Sequence, residues 1–494
     1  MTERVLIRHD GQMRAVLIAT SLCAQVAFAA TIRVGPDAGY QPIEAAQAGD
    51  EVLLAPGTYR FRLALTNSGT AASPIVIRAE DPSRPPVFDY SDADLISFPG
   101  SNAGFHPDRG AWDVRGSDLE FRSITIRGAN TVGPVGAAAI RFSSGERHHV
   151  VDVRVEDCEG GLENVAGSLL VERSRFHRNV VHLNVFGGGP VTVRGNLMTD
   201  ARDWNFYLAG NDALFEANWL SNSGGFAGLM GECSFTCGGT GAQPIARSIV
   251  FRGNVIVQNT MQQPNDSFFV GVLGTGGPSS DGTGFTQPNV VTFSHNTFVG
   301  RLATPTAALV LNSDGAHRTR VRAHGNAFTG FSSVVSELSA TPATVESGFN
   351  WVVDGTDTAG VSASVTGPAS ALTSTYRPVL GSSLFGAAQT PAMLAPAFEF
   401  GGDGSGPPGV VPRTAATTAG AFETGSAMGP GDGGVTTEDA GVRDGDGGVS
   451  PEGRPARRLL QVGCGAGPGD VGTLAALLLL RRRRAKNREH APQA

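Results

Sequence analysis

Lysine is almost missing from this 494-residue chain: Lys486, in the extreme tail, is the only one. Charged residues make up 17% and aromatics 7%, and the formal charge is −7. Affinity for nucleic-acid phosphates needs clustered cations, and the body carries no such run, so nucleic acid is excluded as a partner class. Cysteine is scarce as well, with five in all. Glycine is abundant instead, at 67 residues, a supply suited to many tight turns.

The N-terminus has the three-part layout of a secretory signal. Arg14 is the basic element, residues 15–29 form an apolar run, and Ala27 and Ala29 supply the small residues of a cleavage site. Residues 1–29 are therefore expected to be removed on export, and the run is too short for a comfortable transmembrane helix. At the other end, residues 424–462 are dominated by Gly, Asp, Pro and Ala, with one Gly-Asp-Gly-Gly-Val phrase at 431 and another at 445. Such a segment cannot bury enough apolar surface to offset its ordering entropy and reads as a disordered tether. Its Asp and Gly residues superficially suggest a calcium loop, but no downstream Glu completes one.

Residues 463–494 form a second address. Gly463, Cys464 and Gly465 precede an apolar stretch at 471–480, expected as a short helix, and then Arg481 to Arg484. Arginine is costly in a bilayer and favoured on the cytoplasmic side. This order of parts resembles the MYXO-CTERM sorting tail of myxobacteria and their relatives. The resemblance implies that the tail is cut and that Cys464 carries a lipid anchor. The expected location is outside the cytoplasm, at the cell surface or outer membrane or released from it, with membrane contact only through the tail and a monomeric body.

The body, residues 30–423, is repetitive. Val193, Asn196 and Met198 share one template (apolar, two fillers, Asn, one filler, apolar) with Phe215, Asn218 and Leu220, with Phe251, Asn254 and Ile256, and with Phe293, Asn296 and Phe298. Looser copies place Ile124, Val153, Ser174 and Asn326 at the Asn position, giving spacings of 29, 21, 22, 22, 36, 42 and 30 residues. A basal period near 21 or 22 is too short for helical hairpins and suits one turn of a strand-and-turn solenoid. Leucine-rich repeats share that length but need a Leu-dominated signature that is absent. A second short strand follows in each turn, for example at 139–142, 182–185 and 205–208. About eight coils at about 4.8 Å would make a rod on the order of 40 Å long, and the recurrent Asn is expected to form a hydrogen-bonded ladder at one corner. A helix at 43–48 is expected to cap the first coil against edge pairing.

Residues 49–59, with Pro74 to Ala79 and the closing Gly420 to Glu423, resemble secreted proteins of the pectate-lyase-like superfamily, particularly the branch of chondroitinase B and alginate lyases. The resemblance implies an all-β, single-stranded, right-handed parallel β-helix over residues 31–423. It also implies a lysine base assisted by arginine, and the body has no lysine with which to meet that pattern. The superfamily's fold hosts lyases, hydrolases, esterases, epimerases and inert adhesins, so it does not fix an activity.

The long spacings locate two insertions, near 232–246 and 273–288, both after the second strand of their coils, and insertions at one corner border the binding face of a solenoid. Strict alternation along the second strand then sets outward columns. Arg141, Asn164, Asn184 and Tyr207 fall in one, His182 and Asn205 in its neighbour, with Arg202 and Asp203 just before the strand. A polar groove of this kind suits an extended polysaccharide, with Arg141, Asn164, Asn184 and Asn205 as binding residues. His182, Tyr207, Arg202 and Asp203 are the candidates for proton transfer or charge stabilisation. Each also has an ordinary reading: a surface histidine, solvated arginines, a stacked tyrosine. Cys233 and Cys237 are expected to form a disulfide stiffening the first insertion, and Cys158 to sit in the core. His148 and His149 lack the further ligands a metal needs, so no metal is assigned, and the sequence specifies no cofactor. The sequence is compatible with two functions: a carbohydrate-active enzyme such as a lyase on acidic glycans, and a non-catalytic glycan-binding adhesin or structural surface protein.

Overall fold

The computed structural model describes residues 29–101, 110–131, 137–185, 189–208, 212–224, 227–230, 248–258, 268–273, 290–300, 307–312, 320–337 and 344–423, save 363 and 390. The rest of the signal segment, Cys233 and Cys237, the tether and the tail with Cys464 lie outside the described residues.

Each turn of the chain supplies one short strand to each of three sheets. In one such coil Leu169–Glu172 enters sheet A, Arg175–His177 sheet B and Val181–Val185 sheet C. The chain then returns to sheet A at Val191–Arg194, where Leu169 pairs in parallel with Val191 and Val171 with Val193. Among the described residues sheets A and B have twelve strands each and sheet C ten, and strands adjacent in a sheet come from successive turns of the chain. The fold is a parallel β-helix. Twelve layers at about 4.8 Å give a rod on the order of 50 Å long, longer than the recognisable Asn copies indicate. Expected as two strands per turn, the coil has three, because the residues straight after each Asn, such as Leu197–Ala201, turn the corner into a sheet of their own.

The Asn corner is a continuous ladder. The Asn218 backbone N–H donates to Asn254 Oδ1 at 3.0 Å and the Asn218 side chain to the same oxygen at 2.9 Å, while Asn254 Nδ2 donates to Phe215 O at 2.9 Å. The pattern repeats through Asn196, Asn218, Asn254, Asn296, Asn326 and Asn350. Ser174 extends it toward the N-terminus, receiving Val153 N–H on its hydroxyl. At the same corner of earlier coils Val153 and Ile124 are simply buried apolar residues. The apolar residue three before each Asn points inward: Val193, Phe215, Phe251 and Phe293 are in register. The Phe215 and Phe251 rings stack 4.7 Å apart, and this column forms part of the core.

Near the N-terminus the expected helix at 43–48 is a single turn, Gln41–Glu44. Pro42 fits its first turn. The chain leaves helical geometry because Asp50 accepts the Gln47 N–H at 2.8 Å and ties Ala30 N–H at 2.9 Å, holding residues 47–50 in a turn.

Residues 368–423 do not continue the coils. They run back over the outer face of sheet B, packing Tyr376, Phe400, Ala421 and Phe422 against Leu197, Trp219, Val255, Val257 and Val299. Arg413, its side chain fully buried, is paired with Glu423 at 2.9 Å, and Ala397 N–H donates to buried Glu216, which also meets Arg194 and Arg252. This strap contains the one antiparallel pair of strands among the described residues, Phe398–Phe400 with Val410–Pro412. The Gly420 to Glu423 phrase thus closes the strap rather than a coil.

Candidate functional site

The strands of sheet C do not alternate strictly. In the register Val181 pairs with Trp204 and Leu183 with Phe206, with His182 between them; the same position is passed over at Ala139 and Gly161. Ala111 and Trp112, Ala139 and Ile140, Ala308 and Leu309 are consecutive pairs that both belong to the core. A Cβ added at Gly161 would meet the Phe176 ring edge at 3.2 Å, so this position faces inward. Each strand therefore reads out, in, in, out, in. Two consecutive inward residues shift the phase of everything before them.

That phase decides where the expected residues lie. Arg141, Asn184 and Tyr207 do share an outward column, but its member between Arg141 and Asn184 is Glu163, not Asn164. Asn164 is in register with Phe142 and Val185, is fully buried, and accepts Ala166 N–H while donating to Gly167 O. Its binding role is corrected to a turn-forming one. His182 and Asn205, expected outward, occupy the inward position and are both 0% exposed. His182 Nδ1 accepts from Asn179 Nδ2 at 3.0 Å and its Nε2–H donates to Thr199 O at 3.0 Å. Burial pushes its pKa down to about 3. A neutral imidazole with both nitrogens engaged inside the rod cannot serve as a surface base. Asn205 stands one coil on, with neither side-chain polar atom hydrogen-bonded.

The outward column that does form is charged. Arg141 is ion-paired with Glu163, and Ser143 receives Arg141 Nε–H at 3.2 Å and donates to Asp113, which also pairs with Arg115. Asp113, Arg141, Glu163 and Asn184 each expose less than a tenth of their surface, and Tyr207 ends the row half-buried. Further along the rod the same column passes through Leu229, Gly271 and Val310, without charged residues. The second outward column reaches Trp204, half-buried, whose ring lies 5.5 Å from that of Tyr207. Arg202 is exposed and donates to Cys158 O, two coils back, at 3.0 Å; Asp203 N–H donates to Val180 O. Arg202 and Asp203 thus sit at the corner from sheet B to sheet C, beside Trp204.

Around that corner, on sheet B, lies a group that a search for single reactive residues on sheet C misses. His177 Nδ1 is 2.9 Å from Thr199 Oγ1 and 3.3 Å from Asp200 Oδ2, and Asn222 donates to the other Asp200 oxygen at 3.2 Å. Burial works against the Asp200 charge, yet the hydrogen bonds from His177 and Asn222 hold its pKa below the ordinary range. The 22-residue step from His177 to Thr199 is the signal that could have found it. Cys158 is a buried free thiol with its pKa pushed up to about 12 by desolvation, an inert core residue. Among the described residues no cluster of three His, Cys, Asp or Glu side chains is placed to hold a metal ion.

No known protein family matches the sequence, and no curated protein does. Several solved structures are similar in fold. An alginate lyase from Paenibacillus sp. str. FPU-7 is 14% identical, with 64% of this chain and 97% of that one covered at a TM-score of 0.43. The pectate lyase Pel9A is 15% identical over 80% of this chain and 96% of its own, TM-score 0.46, and a rhamnogalacturonan lyase 13% identical over 64% and 86%, TM-score 0.44. At these similarities the fold assignment rests on the strand registers themselves.

Proposed function

We propose that the chain is an exported β-helix, held at the cell surface by its tail, that binds an extended polysaccharide along the outer face of sheet C. The observation that carries this reading is the outward row Asp113, Arg141, Glu163, Asn184 and Tyr207, one residue per coil, ending beside Trp204. Strand spacing of about 4.8 Å lets a chain of sugars lying along the rod meet successive side chains, and a half-buried Trp with a neighbouring Tyr offers an apolar platform with polar edges. Binding rather than lyase chemistry is the better supported function, because His182 is inside the rod and lysine is absent from the body. Arg202 and Tyr207 remain as groups that touch the ligand, and Asp203 orders the corner. Residues 1–29 act as the export signal, 424–462 as a tether and Cys464 as the lipid attachment point.

The test incubates the full chain with a panel of neutral and acidic polysaccharides, following binding by calorimetry and unsaturated ends by ultraviolet absorbance. Binding without product supports the reading. Product from any member would replace it with a lyase, and no binding to any member would end it.

A further inference from the structure

Arginines along the outer face of sheet B are, Arg175 apart, matched by carboxylates, while Arg62 and Arg202, at corners into sheet C, donate to the backbone carbonyls of Phe98 and Cys158. Arg127 meets Asp89 at 2.6 Å, Arg154 meets Glu156 at 2.6 Å, Arg173 meets Asp152 at 3.1 Å, and Arg178 holds both oxygens of Asp157 at 2.8 Å. Arg175 makes no ion pair among the described residues, and its Nε is buried without a hydrogen-bond partner. Leaving a buried guanidinium donor unsatisfied is costly, and guanidinium has the planar fork that fits an oxyanion.

The setting of Arg175 is specific. It lies two residues before His177 on Arg175–His177, so the two share one face of the strand. Arg154 and Glu156 lie beside them in the preceding coil, with Leu197 and Thr199 in the next. Leu197 is already under the strap, so Arg175 stands at the ledge where the strap ends. His177 is turned by Thr199 and Asp200 through Nδ1, and its Nε2 makes no hydrogen bond or ion pair with a described residue. Glu156, in register with His177, is ion-paired with Arg154, and Asp157 with Arg178.

We propose that Arg175 and His177 form an oxyanion site that receives a carboxylate or sulfate group carried by a glycan, with Asp200 as the positioning residue for His177. The site rests on the glycan reading above and adds an acidic substituent to it. Arg175 supplies a forked pair of N–H donors and His177 a single donor from Nε2. The ledge of the strap limits the site to a group projecting over the corner between sheets B and C from a chain that lies along sheet C.

The experiment measures binding of the full chain to a polyuronate, the same polymer after carboxyl reduction, and a sulfated glycan. Wild type should prefer an acidic polymer over the reduced one, and the acidic arm bound more tightly identifies the anion. Arg175→Gln should lose about tenfold or more in affinity for that polymer, the scale of a charge-assisted pair, and its affinity for the reduced polymer should be unchanged. Arg175→Lys should restore part of the loss, which a misfolded ledge would not do, and Arg322→Gln on sheet A should have no effect. Equal binding of acidic and reduced polymers, or an Arg175→Gln variant that binds like wild type, overturns this site while leaving the glycan reading intact. Absence of binding to every polymer overturns both.

Discussion

Replacing Asn254 with alanine should destabilise the rod more than any comparable surface change, and by an amount the ladder geometry sets. Asn254 Oδ1 accepts two buried donors, Asn218 N–H at 3.0 Å and Asn218 Nδ2–H at 2.9 Å. Its own amide donates to Phe215 O and to Asn296 Oδ1, both at 2.9 Å. Alanine leaves two donors buried without acceptors, at about 1–3 kcal/mol each, for a total of about 2–6 kcal/mol. Asn196, at the start of the Asn run, has one backbone donor on its oxygen, from Ser174 at 2.8 Å, so Asn196→Ala should cost about half as much. Because a solenoid can open locally, the assay is hydrogen exchange of the amides at 215–220, with the urea midpoint as a global check. Equal costs for the two variants, or a loss under about 1 kcal/mol at Asn254, would refute the reasoning that unsatisfied donors set the scale.

Trp204→Ala should weaken binding of the polysaccharide that wild type binds by about tenfold, the loss expected when a central aromatic anchor is removed, with circular dichroism unchanged; calorimetry checks it. Acid should destabilise the body through three buried histidines. Desolvation lowers His148 to about 4 and His182 and His295 to about 3, so the unfolded chain binds protons that the native state refuses. Their stabilisation is fully present above the unfolded value near 6.5 and is lost as pH falls through 4 to 3. Urea midpoints taken from pH 7 to pH 4 should fall, and His182→Asn should reduce the slope. Glu423 adds to this at lower pH: burial opposes its charge, but Arg413 and the Thr417 and Thr418 bonds hold its pKa below the ordinary range, so its support for the strap is present above that range and lost as pH falls through the lowered pKa. Cys464→Ala should release the exported body into the medium, and a chain still retained on the surface, by fractionation and immunoblot, would count against lipid anchoring.

The parallel coils could be read from residues because one polar side chain, Asn, must recur wherever the corner closes on itself, and Val193, Phe215, Phe251 and Phe293 mark the inward position beside it. The face of sheet C could not be read by alternation alone. Paired inward residues such as Ala139 with Ile140 look, in sequence, like ordinary hydrophobic strand residues. The resulting phase shift sent His182 and Asn205 inward and brought Trp204 out, whereas Asn164 differs by one residue of register, Glu163 being the residue that pairs with Arg141. Arg141, Asn184 and Tyr207 kept their face because they follow the paired positions. The strap was hidden for another reason: residues 368–423 have no repeat, and their contacts with Leu197 and Trp219 span some 200 residues of sequence. That Arg175 lacks an ion pair while Arg154 and Arg178 beside it have one is visible only in three dimensions.

Hydrogen exchange of the full chain with and without a bound polysaccharide tests the central claim most directly. The account predicts added protection in Gly110–Val114, Ala138–Phe142, Gly160–Asn164, Val181–Val185 and Trp204–Leu208, the strands bearing the outward row. Protection confined to sheet A, or to the strap, would contradict it.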